Sequence, residues 1–158
     1  MILNLDKDFS PLEKSNLELI EYDSFNFSDG TYHIKIKNAE SLNTDKLIHI
    51  TFRGEEILKV LIAVDALKRI GFKEINLVMP FYLGARQDRV MIKGEALTSK
   101  IYADLINMMQ LNEVLIFDPH SEVTPALLNN CKVIDNYRFI EQVIQQIDED
   151  IILISVYQ

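Results

Sequence analysis

The chain has 158 residues, of which 48% are hydrophobic and 25% charged, a balance typical of one folded globular domain rather than a disordered or collagen-like segment. Its formal charge of −8 opposes association with a phosphate backbone, so we expect no nucleic-acid partner. Cys131 is the only cysteine, which excludes an intramolecular disulfide, and no apolar stretch approaches the length of a membrane span. These features predict a cytoplasmic protein that does not associate with a membrane.

The first half of the chain alternates strand and helix patterns. Residues 2–5 predict a short strand, and the alternation of Tyr32, Ile34 and Ile36 with polar residues predicts a half-buried strand after a turn at residues 28–30. Residues 47–52 predict another strand, and residues 55–70 predict a helix that ends at Gly71. The expected apolar stripe of this helix consists of Ile57, Val60, Leu61, Val64 and Leu67.

The second half continues the alternation. Strands are predicted at residues 75–79, 114–117, 132–134 and 151–154, and helices at 96–109, near 125–129 and at 138–147. In the helix at 96–109 we expect the inward side chains to be Ile101, Leu105, Met108 and Met109. Buried strands separated by amphipathic helices predict an α/β fold with a largely parallel sheet and helices on both faces. Ligands of such folds bind outside the carboxyl ends of the strands.

A polar loop follows the strand at residues 75–79 and contains Arg86, Gln87, Asp88 and Arg89 in succession. Arginine side chains bind phosphate through two parallel hydrogen bonds and stack on aromatic bases, and a carboxamide can bond to a sugar or base. The loop therefore suggests nucleotide binding. The alternative is a solvated surface loop with internal Arg–Asp pairs.

Asp118, Pro119 and His120 follow the strand at residues 114–117. Residues two apart in an extended segment point to the same side, so the carboxylate and the imidazole would face one crevice. Asp118 could then bind magnesium, and His120 could contact a phosphate or complete the metal shell. The alternative is that Asp118 caps the next turn and His120 is merely exposed. Because both loops end successive strands, we favour a shared nucleotide and magnesium site.

Four segments together resemble the N-terminal half of ribose-phosphate pyrophosphokinases. They are Phe-Ser-Asp-Gly at 27–30, Ala-Arg-Gln-Asp-Arg at 85–89, Gly-Glu-Ala-Leu-Thr-Ser-Lys-Ile-Tyr-Ala-Asp-Leu-Ile at 94–106 and Phe-Asp-Pro-His at 117–120. The resemblance covers nearly the whole chain and implies a phosphoribosyltransferase-like, Rossmann-like domain of three layers. It also implies an enzyme of nucleotide and NAD biosynthesis that uses ATP, ribose 5-phosphate and Mg²⁺ to make phosphoribosyl pyrophosphate and AMP.

The resemblance also implies roles for particular residues. Arg86 and Gln87 would bind ATP, Asp118 and His120 would lie in the magnesium environment, and His120 would be a catalytic residue near the phosphates. Phe27 and Asp29 would reach the adenine held by a neighbouring subunit, which implies a homo-oligomer. Thr31 stands where the family usually has glutamate, and its effect on base preference stays open. The Asp-Pro-His-Ser sequence at 118–121 is similar to phage-type and other divergent members.

Family members continue into a second half that carries the ribose-phosphate loop. We therefore expect residues 1–147 to form the ATP-side domain and residues 148–158 to be a stub of the strand that opens the other domain. On this reading the chain alone is inactive, whether as a truncated form or as half of a split enzyme. A non-catalytic nucleotide-binding, regulatory or assembly subunit is the alternative. The apolar strand at residues 151–154 would leave an uncovered edge, so we expect self-association.

Overall fold

The computed structural model describes residues 1–6, 8–10, 12 and 14–147. The strands are β1 Ile2–Asn4, β2 Tyr22–Asn26, β3 Tyr32–Ile36, β4 Ile48–Thr51, β5 Ile75–Met79, β6 Glu113–Phe117 and β7 Cys131–Ile134. The helices are α1 Ile57–Ile70, α2 Thr98–Met108, α3 Val123–Leu127 and α4 Tyr137–Gln145, with a short 3-10 helix at Ala39–Ser41. None of the helices in these residues is long and apolar enough to cross a bilayer.

Five strands form one parallel sheet in the order β1-β4-β5-β6-β7, and β2 and β3 form a separate antiparallel hairpin. Each step from β4 to β7 moves in the same direction, and right-handed crossovers then place α1, α2 and α3 on one face. On the other face Phe117 of β6 contacts Phe139 of α4, with ring centroids 5.6 Å apart. The predicted α/β class, with a largely parallel sheet and flanking helices, is confirmed.

The core lies between the sheet and the first helix layer. Ile50, Leu77 and Val114 occupy matching positions on three adjacent strands and are buried. Helix α1 buries the predicted Ile57, Val60, Val64 and Leu67, whereas Leu61 is only partly buried against the core and Ala63 is fully buried. Nonpolar burial of this kind dominates the stability of a single-domain fold.

The predicted inward face of α2 is wrong at two positions. Ile101 and Met108 are 53% and 65% exposed, and the buried residues of the helix are Ser99, Ala103 and Ile106. Small side chains at residues 99 and 103 let the helix pack closely, so the buried face follows them rather than the largest apolar residues. Met109 is buried and Leu105 packs partly against the core, as predicted.

Most predicted ends of strands and helices differ from the structure by one or two residues, and both ends of β5 were predicted correctly. Strand β2 was not predicted because its sequence, Tyr-Asp-Ser-Phe-Asn, is polar and mostly exposed. It pairs with β3 across the predicted turn, where Gly30 has a φ of +85°. The predicted strand at residues 151–154, and the proposed stub at 148–158, lie outside the described residues.

Candidate nucleotide and magnesium site

The loop that follows β5 is fixed against the start of α2. The Tyr82 hydroxyl donates to the Ser99 carbonyl oxygen at 2.8 Å, and the Ser99 amide donates to the Gln87 carbonyl oxygen at 3.2 Å. Gly84 turns the chain with a φ of +72°, and a Cβ there would lie 3.3 Å from the Ser99 nitrogen. These contacts hold the backbone at Gln87 in place while the side chains of Arg86 and Gln87 remain exposed.

Asp88 differs from its neighbours because it is buried, with 7% of its surface exposed. Its Oδ1 accepts a hydrogen bond from Arg89 Nε at 3.0 Å, and its Oδ2 accepts one from the Ser121 hydroxyl at 2.6 Å. The Arg89 bond, and then the Ser121 bond, lower the pKa of the Asp88 carboxyl from 3.8 to about 2. The alternative of an internal Arg–Asp pair is thus correct for Asp88 and Arg89. Arg86 makes no ion pair with any described residue.

The loop that follows β6 starts at Asp118, which has a left-handed φ of +41°. The Asp118 amide donates to the Ile134 carbonyl oxygen at 2.9 Å, and Asp118 Oδ2 accepts a hydrogen bond from Asn136 Nδ2 at 2.7 Å. The aspartate therefore bonds to the segment after β7 rather than capping α3, whose N-cap residue is Glu122. Asp118 and His120 are both exposed at this edge of the sheet.

The two loops are joined directly by the bond between Asp88 and Ser121. A second contact lies deeper, where the hydroxyls of Ser99 and Thr124, both fully buried, are 3.2 Å apart. Strands β5 and β6 are adjacent and parallel, so their carboxyl ends bring the loops together as predicted. Asp88 and Ser121 were not predicted as site residues, and only the shared sheet edge hinted that they could meet.

Phe27 and Asp29 lie at the tip of the β2–β3 hairpin. The Phe27 ring packs against Phe25 and His33, with centroids 4.9 Å and 5.6 Å away, yet Phe27 remains 51% exposed. Asp29 accepts a hydrogen bond from the Thr31 amide at 2.9 Å, which lowers the pKa of its carboxyl. Within the described part of the chain, no hydrogen bond joins this tip to the loops after β5 and β6.

The donor set suits a metal that is held only partly by protein. The described residues contain no group of three or more His, Cys, Asp or Glu side chains that could hold a metal ion. Magnesium commonly binds through one or two carboxylates, with water and substrate phosphates completing an octahedral shell. Asp118 is exposed, and Asn136 engages only its Oδ2, so the residues present fit Mg²⁺ bound together with a nucleotide.

Residues 12–109 match the family model for the N-terminal domain of ribose phosphate pyrophosphokinase. The ribose-phosphate pyrophosphokinase of Fusobacterium nucleatum is 34% identical over 121 residues, which cover 75% of this chain and 38% of that protein. That of Bacillus subtilis is 38% identical over 97 residues, 60% of this chain and 31% of that protein. The chain therefore spans about a third of the length of these relatives.

A solved structure shares the fold. Phosphoribosylpyrophosphate synthetase from Mycobacterium smegmatis superposes with a TM-score of 0.75 over 92% of this chain and 51% of that one, at 17% identity. The structural likeness supports the architecture, and the sequence matches support the family. The chain belongs to the ribose-phosphate pyrophosphokinase family and corresponds to its N-terminal domain.

Proposed function

We propose that this chain supplies the ATP and magnesium side of a ribose-phosphate diphosphokinase. The observation that carries the proposal is the direct bond between the loop after β5, which contains Arg86 and Gln87, and the loop after β6, which contains Asp118 and His120. In the reaction, the 1-hydroxyl oxygen of ribose 5-phosphate bonds to the β-phosphorus of ATP. The bond from that phosphorus to the oxygen bridging it to the α-phosphate breaks, AMP leaves, and the hydroxyl loses its proton.

The exposed cation and amide of the first loop suit the nucleotide. None of the described residues forms an ion pair with Arg86, so its guanidinium is available for a phosphate or for stacking on the adenine. Gln87 offers a donor and an acceptor for the sugar or base, while its backbone is held by Ser99. His120, on the facing loop, would contact the phosphates as the catalytic residue of this half.

Magnesium would bind at Asp118, with His120 nearby and the nucleotide phosphates as the other ligands. When bound, the ion would neutralise charge on the transferred diphosphoryl group. Asn136 holds the Asp118 side chain through Oδ2, which limits its rotation and leaves Oδ1 as the oxygen that would bind the metal.

The hairpin tip suits a role in a neighbouring subunit. Phe27 is exposed in a small aromatic cluster at the hairpin tip. Among the described residues, no hydrogen bond joins this tip to the loops after β5 and β6 of the same chain. An exposed aromatic ring beside an acceptor such as Asp29 can stack on an adenine and bond to its amino group. We therefore propose a homo-oligomer in which each site combines the loops of one subunit with the hairpin of another. A cytoplasmic location remains a prediction.

The 158 residues alone are expected to bind nucleotide without turnover. Their five glycines are dispersed along the chain, so they contain no glycine-rich loop for the phosphate of ribose 5-phosphate. Activity would need a second domain, and binding that persists without activity after such a domain is added would favour the regulatory-subunit alternative. AMP formation by the purified chain would contradict the prediction of inactivity.

The test is calorimetric titration of the chain with ATP, in magnesium and in a chelator. We expect binding that needs magnesium in the unmodified chain and in Asp65→Asn, which changes an exposed carboxylate on α1. Asp118→Asn should weaken binding about tenfold or more in magnesium, and none of the three proteins should bind ATP measurably in the chelator. Equal affinities for Asp118→Asn and the unmodified chain would remove Asp118 from the metal site.

A further inference from the structure

We propose that Asp88 and Ser121 are positioning residues, whose mutual hydrogen bond holds the two loops at the spacing that a magnesium-bound nucleotide requires. This inference rests on the proposed function and adds two residues to its site. Neither residue is proposed to touch the nucleotide. Asp88 directly follows Gln87, and Ser121 directly follows His120. Gln87 and His120 are the residues proposed to touch the nucleotide.

The chemistry of the contact fixes its direction. An ionised carboxylate only accepts hydrogen bonds, so the Ser121 hydroxyl donates its single proton to Asp88 Oδ2 across 2.6 Å. The same hydroxyl oxygen accepts a hydrogen bond from the Val123 amide at 3.3 Å. This bond from the first turn of α3 orients the hydroxyl group. Arg89 occupies the other carboxylate oxygen. Hydrogen bonds to a charged acceptor are shorter and stronger than neutral ones.

The contact is well placed to set the distance between the loops. Among the described residues it is the one hydrogen bond that joins segment 80–97 to segment 118–122. The Ser99–Thr124 contact joins the helices that follow the loops, at a deeper level. Without the Asp88–Ser121 bond, each loop would keep its other backbone hydrogen bonds. The positions of the nucleotide-binding side chains of one loop would no longer be fixed relative to those of the other. A small displacement of such groups is enough to weaken binding markedly.

The first test compares the magnesium–ATP affinities of single and paired variants of the 158-residue chain. Ser121→Ala and Asp88→Ala should each weaken binding about tenfold, and the double variant should bind no more weakly than Asp88→Ala, because each change removes the same contact. Ser121→Thr retains the hydroxyl and should restore affinity to within about twofold of the unmodified chain. Ser41→Ala, a control, removes an exposed hydroxyl that donates to the Asn38 carbonyl oxygen.

Two results would overturn the inference from these affinities. One is an unchanged affinity for Ser121→Ala. The other is a loss in the double variant equal to the product of the single losses, which would mean that the two residues act independently.

The second test needs no ligand and so separates this inference from the proposed function. Amide hydrogen exchange of residues 84–92 and 118–122 should be about tenfold faster in Ser121→Ala, and unchanged in Ser121→Thr and Ser41→Ala. If the unmodified chain fails to bind magnesium–ATP, the proposed function falls. The exchange data still test whether the bond couples the two loops. Equal exchange rates in Ser121→Ala and the unmodified chain would show that the loops are not coupled.

Discussion

Asp88 shows at the scale of one residue what sequence reasoning reached and what it missed. A run of Arg, Gln, Asp and Arg indicated a nucleotide loop. Arg86 and Gln87 are exposed, and their binding of a nucleotide stays a prediction. The run could not show that its carboxylate is buried and hydrogen-bonded to Ser121, which is 33 positions away. Contacts between loops from different strands depend on tertiary placement, and local patterns do not encode it.

The lowered pKa of Asp88 predicts a pH-dependent stability. Its carboxyl has a pKa of about 2 in the folded chain against an ordinary 3.8. The folded value is the lower one, so the ionised group stabilises the fold above the ordinary value, and this contribution is lost as the pH falls toward about 2. We expect the difference in unfolding free energy between the unmodified chain and Asp88→Asn to be constant above about pH 5 and to shrink below about pH 4.

Urea unfolding of both proteins from pH 6 to the lowest pH at which they fold measures this difference. Other carboxylates titrate in both proteins, and subtracting one curve from the other largely removes their contribution. A difference that does not change with pH would contradict the assigned ionisation of Asp88.

A substitution at Gly84 tests how closely the loop after β5 packs on α2. The φ of Gly84 is +72°, and a Cβ would lie 3.2 Å from Thr98 Cγ2 and 3.3 Å from Tyr102 Cδ2. Gly30 is a matched control, since its φ is +85° with no atom within 4 Å of the added carbon. Gly84→Ala should lower the unfolding free energy by about 2–3 kcal/mol, and Gly30→Ala by about 1 kcal/mol, the cost of the left-handed backbone alone.

Chemical denaturation of the two variants measures both values. Equal losses would mean that the loop moves away from α2 without cost, and that the contacts at Gly84 do not fix it.

At the scale of elements, periodicity predicted most strands and helices but not every buried face. Strand β5 is a compact apolar run, and its bounds were predicted correctly. Strand β2 has no apolar face, so only its pairing with β3 makes it a strand. In α2 the packing of small residues determined the buried face, and a pattern of large apolar side chains pointed elsewhere.

Two isoleucines on α2 test the corrected face. Ile106 is 1% exposed and Ile101 is 53% exposed. Ile106→Ala should destabilise the chain by about 2–5 kcal/mol through lost burial and a cavity, whereas Ile101→Ala should change stability by about 0.5 kcal/mol or less. Thermal and chemical unfolding measure both. A larger loss from Ile101→Ala would restore the orientation predicted from sequence.

At the scale of the whole molecule, the family and the fold were both predictable because several motifs occur in order along one chain. The match of residues 12–109 to the family model and the TM-score of 0.75 agree with that prediction. The motifs could not determine whether subunits combine, since no hydrogen bond among the described residues joins the hairpin tip to the loops after β5 and β6. The proposed shared site therefore depends on assembly.

Mixing two defective variants tests the shared site. Phe27→Ala alters the hairpin and Arg86→Ala alters the loop, so each protein alone should bind magnesium–ATP weakly. If the hairpin acts on a neighbour, random mixing in equal amounts, with subunit exchange, should restore about a quarter of the sites. Titration before and after exchange measures the restored fraction. No recovery, or a monomer by light scattering at micromolar concentration, would count against a shared site.

The most direct measurement is calorimetric binding of magnesium–ATP to the unmodified chain, Arg86→Ala and Arg69→Ala. Arg69 is an exposed arginine on α1, paired with Asp65, and controls for loss of charge. We expect Arg86→Ala to weaken binding by about tenfold or more, with Arg69→Ala unchanged. Equal affinities for all three proteins, or no binding by the unmodified chain, would contradict the assignment of a nucleotide site to these loops.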